Sequence, residues 1–210
     1  MTKWTMSLHD CLMTYPELQI QLGLNPDNRV NVFGNVDTCR WTEYGYLFVD
    51  QEDGQCYLFD EDGNLDDIRK IKSIEYSTFA DCKSLTRIQI PDSVKSIGDR
   101  AFAYCESLTN IEIPDLVKSI GRVAFVDCTS LKSISIPNSV KRIGLRAFED
   151  CTSLTSISIP DSVKNVGYNA FAYCTSLKSI IFKRKTIDQV KAMNEYPWGI
   201  RDKSVIKVES

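Results

Sequence analysis

Histidine occurs once in this 210-residue chain, at His9. That scarcity removes most of the material for a zinc site and for histidine-assisted nucleophiles. No C-x-x-C is present, and His9 and Cys11 stand two apart on a predicted helix, where residues do not face each other. G-x-S-x-G, H-E-x-x-H, the P-loop and G-x-G-x-x-G are all missing, which removes the common signatures of hydrolases, metalloproteases and nucleotide-binding enzymes. An EF-hand on DEDGNLDD (60–67) would need Gly at its sixth position and Glu at its twelfth; Leu65 and Ile71 stand there instead. The stretch reads as an acidic turn. No metal, no cofactor and no enzymatic activity are expected.

Long apolar runs are also lacking. None approaches the roughly 18 residues of a membrane span, and the opening MTKWTMSLHDCLMTYPELQ has no unbroken apolar core of the secretory kind. With Met1 as the start, the expectation is a cytoplasmic protein with no membrane partner. Hydrophobic content of 43% with 25% charged residues is that of a globular chain.

Repetition is what the sequence has in abundance. Cysteine stands at 82, 105, 128, 151 and 174, and phenylalanine at 79, 102, 125, 148 and 171, each in steps of 23. The unit is C-x-x-L-x-x-I-x-I-P-x-x-V-K-x-I-G-x-x-A-F-x-x, with four complete copies from Cys82 to Tyr173 and a half copy on either side. A fixed period of this length signals a solenoid. In LKSISIP, Leu131, Ile134 and Ile136 predict a short strand ended by Pro137, which has no N–H for a ladder. Gly144 and its copies Gly98, Gly121 and Gly167 are expected to allow a tight corner that other residues would strain. Ala147 and Phe148 return the chain to the core. One coil leaves its apolar face open, so coils are stable only when stacked. Of eight cysteines, five sit on this register, which predicts buried packing thiols and no disulfide framework.

The L-x-x-I-x-I-P strand, the V-K-x-I-G turn and the A-F-x-x-C corner, over about residues 71–182, closely resemble the BspA-like, or Treponema pallidum-type, leucine-rich repeat family. The resemblance implies an α/β solenoid: a right-handed leucine-rich-repeat parallel-sheet solenoid used for binding. Residues 1–67 are non-repetitive and read as a small acidic α+β domain. Its expected elements are a helix over 7–14, strands in ELQIQL and RVNVF, and a hairpin turning near Asp53 and Gly54. Residues 68–182 hold the repeats. Residues 183–210 form a C-terminal helical cap: Thr186 and Gln189 fit a capping box opening a helix to about Tyr196, and SVIKVE closes the last coil as a strand.

Charge divides the chain. Residues 1–67 carry 3 Lys and Arg against 13 Asp and Glu, a balance of −10; residues 68–210 carry 22 against 15, a balance of +7. Glu52, Asp53, Asp60, Glu61 and Asp62 are therefore candidates for meeting a basic partner. In the repeats Lys72, Lys95, Lys118, Lys141 and Lys164 share one register. Neighbouring charges about 5 Å apart repel by only about 0.8 kcal/mol in water, so an exposed lysine stripe is tolerable. Arg100, Arg122, Arg142 and Arg146 add to it, while Asp92, Asp115 and Asp161 form an opposing column three residues earlier. The outward face of the predicted sheet runs from Arg87, Gln89, Asn110 and Glu112 through serines at 133, 135, 156 and 158 to Ser179 and Ile181. Arg87 and Glu112 join Lys95, Lys118, Lys141 and Lys164 as the candidate partner-binding residues of the repeats.

These features predict a non-enzymatic module that binds a protein partner inside the cell. A concrete case is an inhibitor of the anti-CRISPR kind, carried by a phage, that occludes a basic nucleic-acid-processing enzyme. Nucleic-acid binding through the basic repeats is the first alternative. Cell-surface adhesion, which the resemblance implies, is the second. Oligomeric state is left open by the residues.

Overall fold

The structure, a computed structural model, describes residues 39–42, 45–49, 54–59 and 65–209. The helix expected over 7–14 and the strands expected in ELQIQL and RVNVF lie outside these residues. What is described begins with an antiparallel meander: β1 (Cys39–Thr42), β2 (Gly45–Val49), β3 (Cys56–Phe59) and β4 (Leu65–Asp66), paired in chain order. The hairpin expected in YGYLFVDQEDGQCYLF is the β2–β3 pair, with Val49 opposite Cys56.

Two parallel sheets, each of five strands, follow the repeat register. The first holds β7 (Asn110–Glu112), β9 (Ser133–Ser135), β11 (Ser156–Ile159), β13 (Ser179–Lys183) and β14 (Ile206–Glu209). It is the sheet expected from L-x-x-I-x-I-P, and the SVIKVE segment pairs in parallel with β13 as its last strand. The second sheet is a correction. The V-K-x-I-G segment is read from sequence as a turn, yet its x-I pair forms β5 (Ser73–Ile74), β6 (Ser96–Ile97), β8 (Ser119–Ile120), β10 (Arg142–Ile143) and β12 (Asn165–Val166). A two-residue strand is too short to show alternation in sequence; stacking is what makes it a sheet. Ile74, Ile97, Ile120, Ile143 and Val166 point inward and are buried.

The side of the coil that carries A-F is built of turns, and its backbone bonds also run from coil to coil. Phe102 N–H donates to Ala124 O (2.8 Å) and Phe125 N–H to Ala147 O (2.8 Å). Left-handed backbone occurs here twice per coil. Arg100, Val123, Arg146 and Asn169 have φ of 53–60° except Val123 at 48°, and Asp81, Tyr104, Asp127, Asp150 and Tyr173 have φ of 56–62°. The repeat glycines are not among them, which corrects the reason for their presence. A Cβ on Gly121 would lie 2.4 Å from the Gly98 carbonyl carbon, and one on Gly144 2.4 Å from the Gly121 oxygen. Glycine is required because successive coils touch backbone to backbone, not because of an unusual φ.

One hydrophobic core runs from Leu47, Val49 and Leu58 of the meander through every coil to Trp198 and Ile206. The meander joins the first sheet directly: Gln55 and Gln89 form a parallel bridge, and Gln89 N–H donates to Gly54 O (2.6 Å). At the other end the capping box of Thr186 and Gln189 is formed, but the helix α1 covers only Ile187–Lys191, shorter than expected. Beyond it the chain turns, Tyr196–Pro197 is cis, and Trp198 is fully buried with its indole N–H donating to Asn194 O (2.7 Å). Burying that large ring closes this end of the core.

Candidate functional site

The first sheet's outer face carries an open groove of about 900 Å³ over the N-terminal coils. Strand alternation puts Ile88, Ile111 and Ile134 into the core and turns Arg87, Gln89, Asn110, Glu112, Ser133 and Ser135 outward. Pro114 follows β7 and Pro91 follows the bridged Gln89 at the equivalent place, and the next residues, Asp92 and Asp115, reach the same groove. Arg87 and Glu112, singled out from sequence, are thus brought together. Asp92 and Asp115 also belong to this face, whereas their register in the sequence sets them against the lysines. Strand parity carries no signal for them, since they lie one step past the proline. Three carboxylates and one guanidinium make the groove acidic on balance, and it contains neither histidine nor cysteine. None of these four charged groups forms an ion pair among the described residues.

The lysines lie elsewhere. Lys95, Lys118, Lys141 and Lys164 form one exposed column beside the second sheet, each N–H donating to the carbonyl of the lysine one coil earlier at 2.7–3.0 Å. Lys72 begins this ladder, and its ammonium is turned to the Arg69 carbonyl. Lys164 is the member with a carboxylate nearby: Asp161 Oδ1 is 3.7 Å away and is shared with Lys185 at 2.8 Å. Hydrogen bonding from Lys185, then the charges of Lys185 and Lys164, hold the Asp161 carboxyl below its ordinary range. Glu52, Asp53, Asp60, Glu61 and Asp62 all fall outside the described residues.

The cysteine ladder is structural in its geometry. Cys105, Cys128, Cys151 and Cys174 each donate through Sγ to a phenylalanine carbonyl one coil back, at 3.0–3.2 Å. Burial pushes the Cys128 and Cys174 thiols up to about 12 and Cys151 well above its usual range. Such thiols are poor nucleophiles and poor metal ligands. Among the described residues no group of three His, Cys, Asp or Glu could hold a metal ion, and no helix is long and apolar enough to cross a membrane.

A further cluster lies at the A-F-x-x-C corner. Glu149 is 8% exposed and Asp127 and Asp150 are its neighbours in the same field. Burial raises the carboxyls of both Glu149 and Asp127; the Arg146 guanidinium, 3.5 Å from Glu149, opposes the rise there.

Residues 58–194 match the BspA type leucine rich repeat region in six copies. Among solved structures, a leucine rich cell surface protein from Faecalibacterium prausnitzii is 30% identical (TM-score 0.57), the match covering 67% of this chain and 40% of that one. The T. pallidum leucine rich repeat protein is 29% identical (TM-score 0.54), covering 67% of this chain and 69% of that one. A leucine-rich repeat protein from Bacteroides ovatus is 29% identical (TM-score 0.53), covering 70% of this chain and 47% of that one. The chain therefore spans less than half the length of two of these three relatives. No curated protein matches it.

Proposed function

The chain belongs to the BspA-type leucine-rich repeat family, and we propose that it is a non-enzymatic protein-binding module whose recognition surface is the groove over the first sheet. The observation that carries this reading is the groove's lining. Asp92, Glu112 and Asp115 line one groove with Arg87, Glu112 on β7 and the two aspartates in the turns that follow the prolines, all backed by the stacked coils. Rigid placement lowers the entropy cost of binding, and unpaired carboxylates favour a partner that presents basic side chains.

A narrower form sets the partner inside the cell as a nucleic-acid-processing enzyme, which the chain occludes as an anti-CRISPR inhibitor does. Its support is charge: the balance of −10 in residues 1–67 adds to the acidic groove. Reversing Glu52, Asp53, Glu61 and Asp62 to Lys should then weaken the complex and its dependence on salt. Display at the cell surface is the second reading, favoured by the likeness to the Faecalibacterium surface protein. Protease treatment of intact producing cells separates the two, since a surface protein is degraded and an internal one survives.

The groove itself is tested by crosslinking in producing cells with native chain and with a Glu112→Lys, Asp115→Lys variant. The protein captured by the native chain should be lost by the variant, with melting temperatures equal. If the variant captures the same protein as efficiently, the groove is not the site.

A further inference from the structure

The second sheet has an outer face of different chemistry. Over the glycine column runs a second groove of about 530 Å³, lined by Ser96, Ser119, Arg142 and Asn165 of the strands and by Arg122 and Leu145 beyond the glycines. The exposed lysine column stands immediately before the same strands, so Lys141 and Arg142 are adjacent in the chain. Lys95, Lys118, Lys141, Arg122 and Arg142 form no ion pair among the described residues, whereas several other cations do. Three carboxylates border this face, the first being Glu75, which takes the glycine-register position in the first coil. Asp99 Oδ1 accepts the Arg122 backbone N–H at 2.7 Å, which leaves the guanidinium unengaged, and Glu195 stands at the C-terminal end.

Aromatic groups add a second kind of contact. The residue after each glycine-register position forms a column of step 23: Tyr76, Asp99, Arg122, Leu145 and Tyr168. Its two end members are exposed tyrosines, Tyr76 at 70% and Tyr168 at 52%. A buried role would hide such rings. A cationic track with an exposed ring at each end offers the two contacts that hold single-stranded nucleic acid, phosphates on the cations and bases stacked on the rings.

We propose that the second-sheet face binds single-stranded nucleic acid, with Lys95, Lys118, Lys141, Arg122 and Arg142 on phosphates and Tyr76 and Tyr168 under bases. This face is separate from the acidic groove, and the inference does not rest on the protein-binding reading. The floor is glycine backbone, which lets a ligand approach closely. The lining offers no fixed set of donors and acceptors for one base, so binding should be indifferent to sequence.

The test is fluorescence anisotropy of the full chain with a labelled 20-nucleotide thymidine strand. Contacts from the five cations predict a log–log salt slope near −3.5, hence roughly 130-fold weaker binding at 200 mM than at 50 mM salt. Arg122→Glu with Arg142→Glu should weaken binding at least tenfold at 50 mM, and Tyr168→Ala by about tenfold. Glu112→Lys with Asp115→Lys should not weaken it, which separates this face from the groove. Absence of binding at 50 mM overturns the proposal, as does indifference to the arginine pair. Equal affinity for polyglutamate or for vesicles of anionic phospholipid, with Tyr168→Ala silent, overturns the assignment to nucleic acid. All these side chains are exposed; equal melting temperatures establish that the variants are folded, and Lys141→Glu provides a second single-site variant on the same track.

Discussion

Phe125 and Phe148 lie face to face across one coil step, ring centroids 5.3 Å apart and planes inclined by only 4°. The same relation recurs from Phe79 to Phe171 at 5.2–5.6 Å, so each internal ring has a partner on both sides. Both residues are fully buried. Phe125→Ala or Phe148→Ala should cost about 3–5 kcal/mol. Among the described residues Phe79 has one stacked neighbour, and a stacked pair adds about 0.5–1.5 kcal/mol beyond burial, so Phe79→Ala should cost less by about that amount. Urea unfolding of the three variants decides it; equal, small effects would contradict a core built by stacking.

The repeat glycines and the left-handed residues make opposite predictions. Gly144 has ordinary φ but no room, since a Cβ would meet the Gly121 oxygen at 2.4 Å. Gly144→Ala should therefore lower stability by about 3 kcal/mol or more, because the obstruction is backbone that can yield only by separating two coils.

Val123 has room to change but an unfavourable φ of 48°. A β-branched residue in this region is strained by roughly 1–2 kcal/mol, and the strain is held by its N–H bond to Leu145 O at 2.8 Å. Asparagine occupies the equivalent place at Asn169. Val123→Asn should raise the melting temperature, corresponding to about 1 kcal/mol. A fall would show that the half-buried isopropyl group matters more than the backbone.

These contrasts mark what could be read in advance. The inward Leu, Ile and Phe positions were legible because a 23-residue period repeats the same constraint at every coil. The two-residue strands of the second sheet were not, since neither alternation nor propensity distinguishes Ser96–Ile97 from a turn. The glycines were legible as special positions, but only the stacking of the coils distinguishes contact from φ. For the groove, Arg87 and Glu112 followed from strand alternation. Asp92 and Asp115 did not, because past a proline the direction of a side chain no longer follows from strand parity. The acidic residues at 52, 53 and 60–62 lie outside the described residues, so their part in recognition rests on charge alone.

The cysteine ladder predicts slow chemistry. With its thiol pushed up to about 12 by burial and its Sγ bonded to Phe102 O at 3.1 Å, Cys128 is almost entirely protonated at pH 8. Maleimide at pH 8 should leave Cys128 and Cys151 unlabelled in the folded chain and label both after denaturation. Rapid labelling of either while folded would require the coil to open locally far more often than its packing allows.

Glu149 makes stability depend on pH in the direction opposite to Asp161. Burial is the main cause that raises the Glu149 carboxyl, and Asp127 shifts the same way. As pH rises, the unfolded chain ionises these groups first, near pH 4. The folded state is then progressively disfavoured up to its own raised pKa, and the full penalty persists at higher pH, so their contribution is most favourable below the unfolded pKa. Glu149→Gln should raise the melting temperature at pH 7, each kcal/mol giving about 2–4 °C in a chain of this size, and change it little near pH 4. Asp161 is held low by Lys185 and Lys164, so its ion pair contributes above the unfolded pKa and is lost as pH falls through the folded one. Asp161→Asn should lower the melting temperature at pH 7, with the difference closing in acid. Thermal unfolding of both variants from pH 3 to 8 tests the pair together. Curves parallel to the native one would mean that neither carboxyl changes its pKa on folding, and curves diverging in the same direction would mean that one of the two environments is wrongly described.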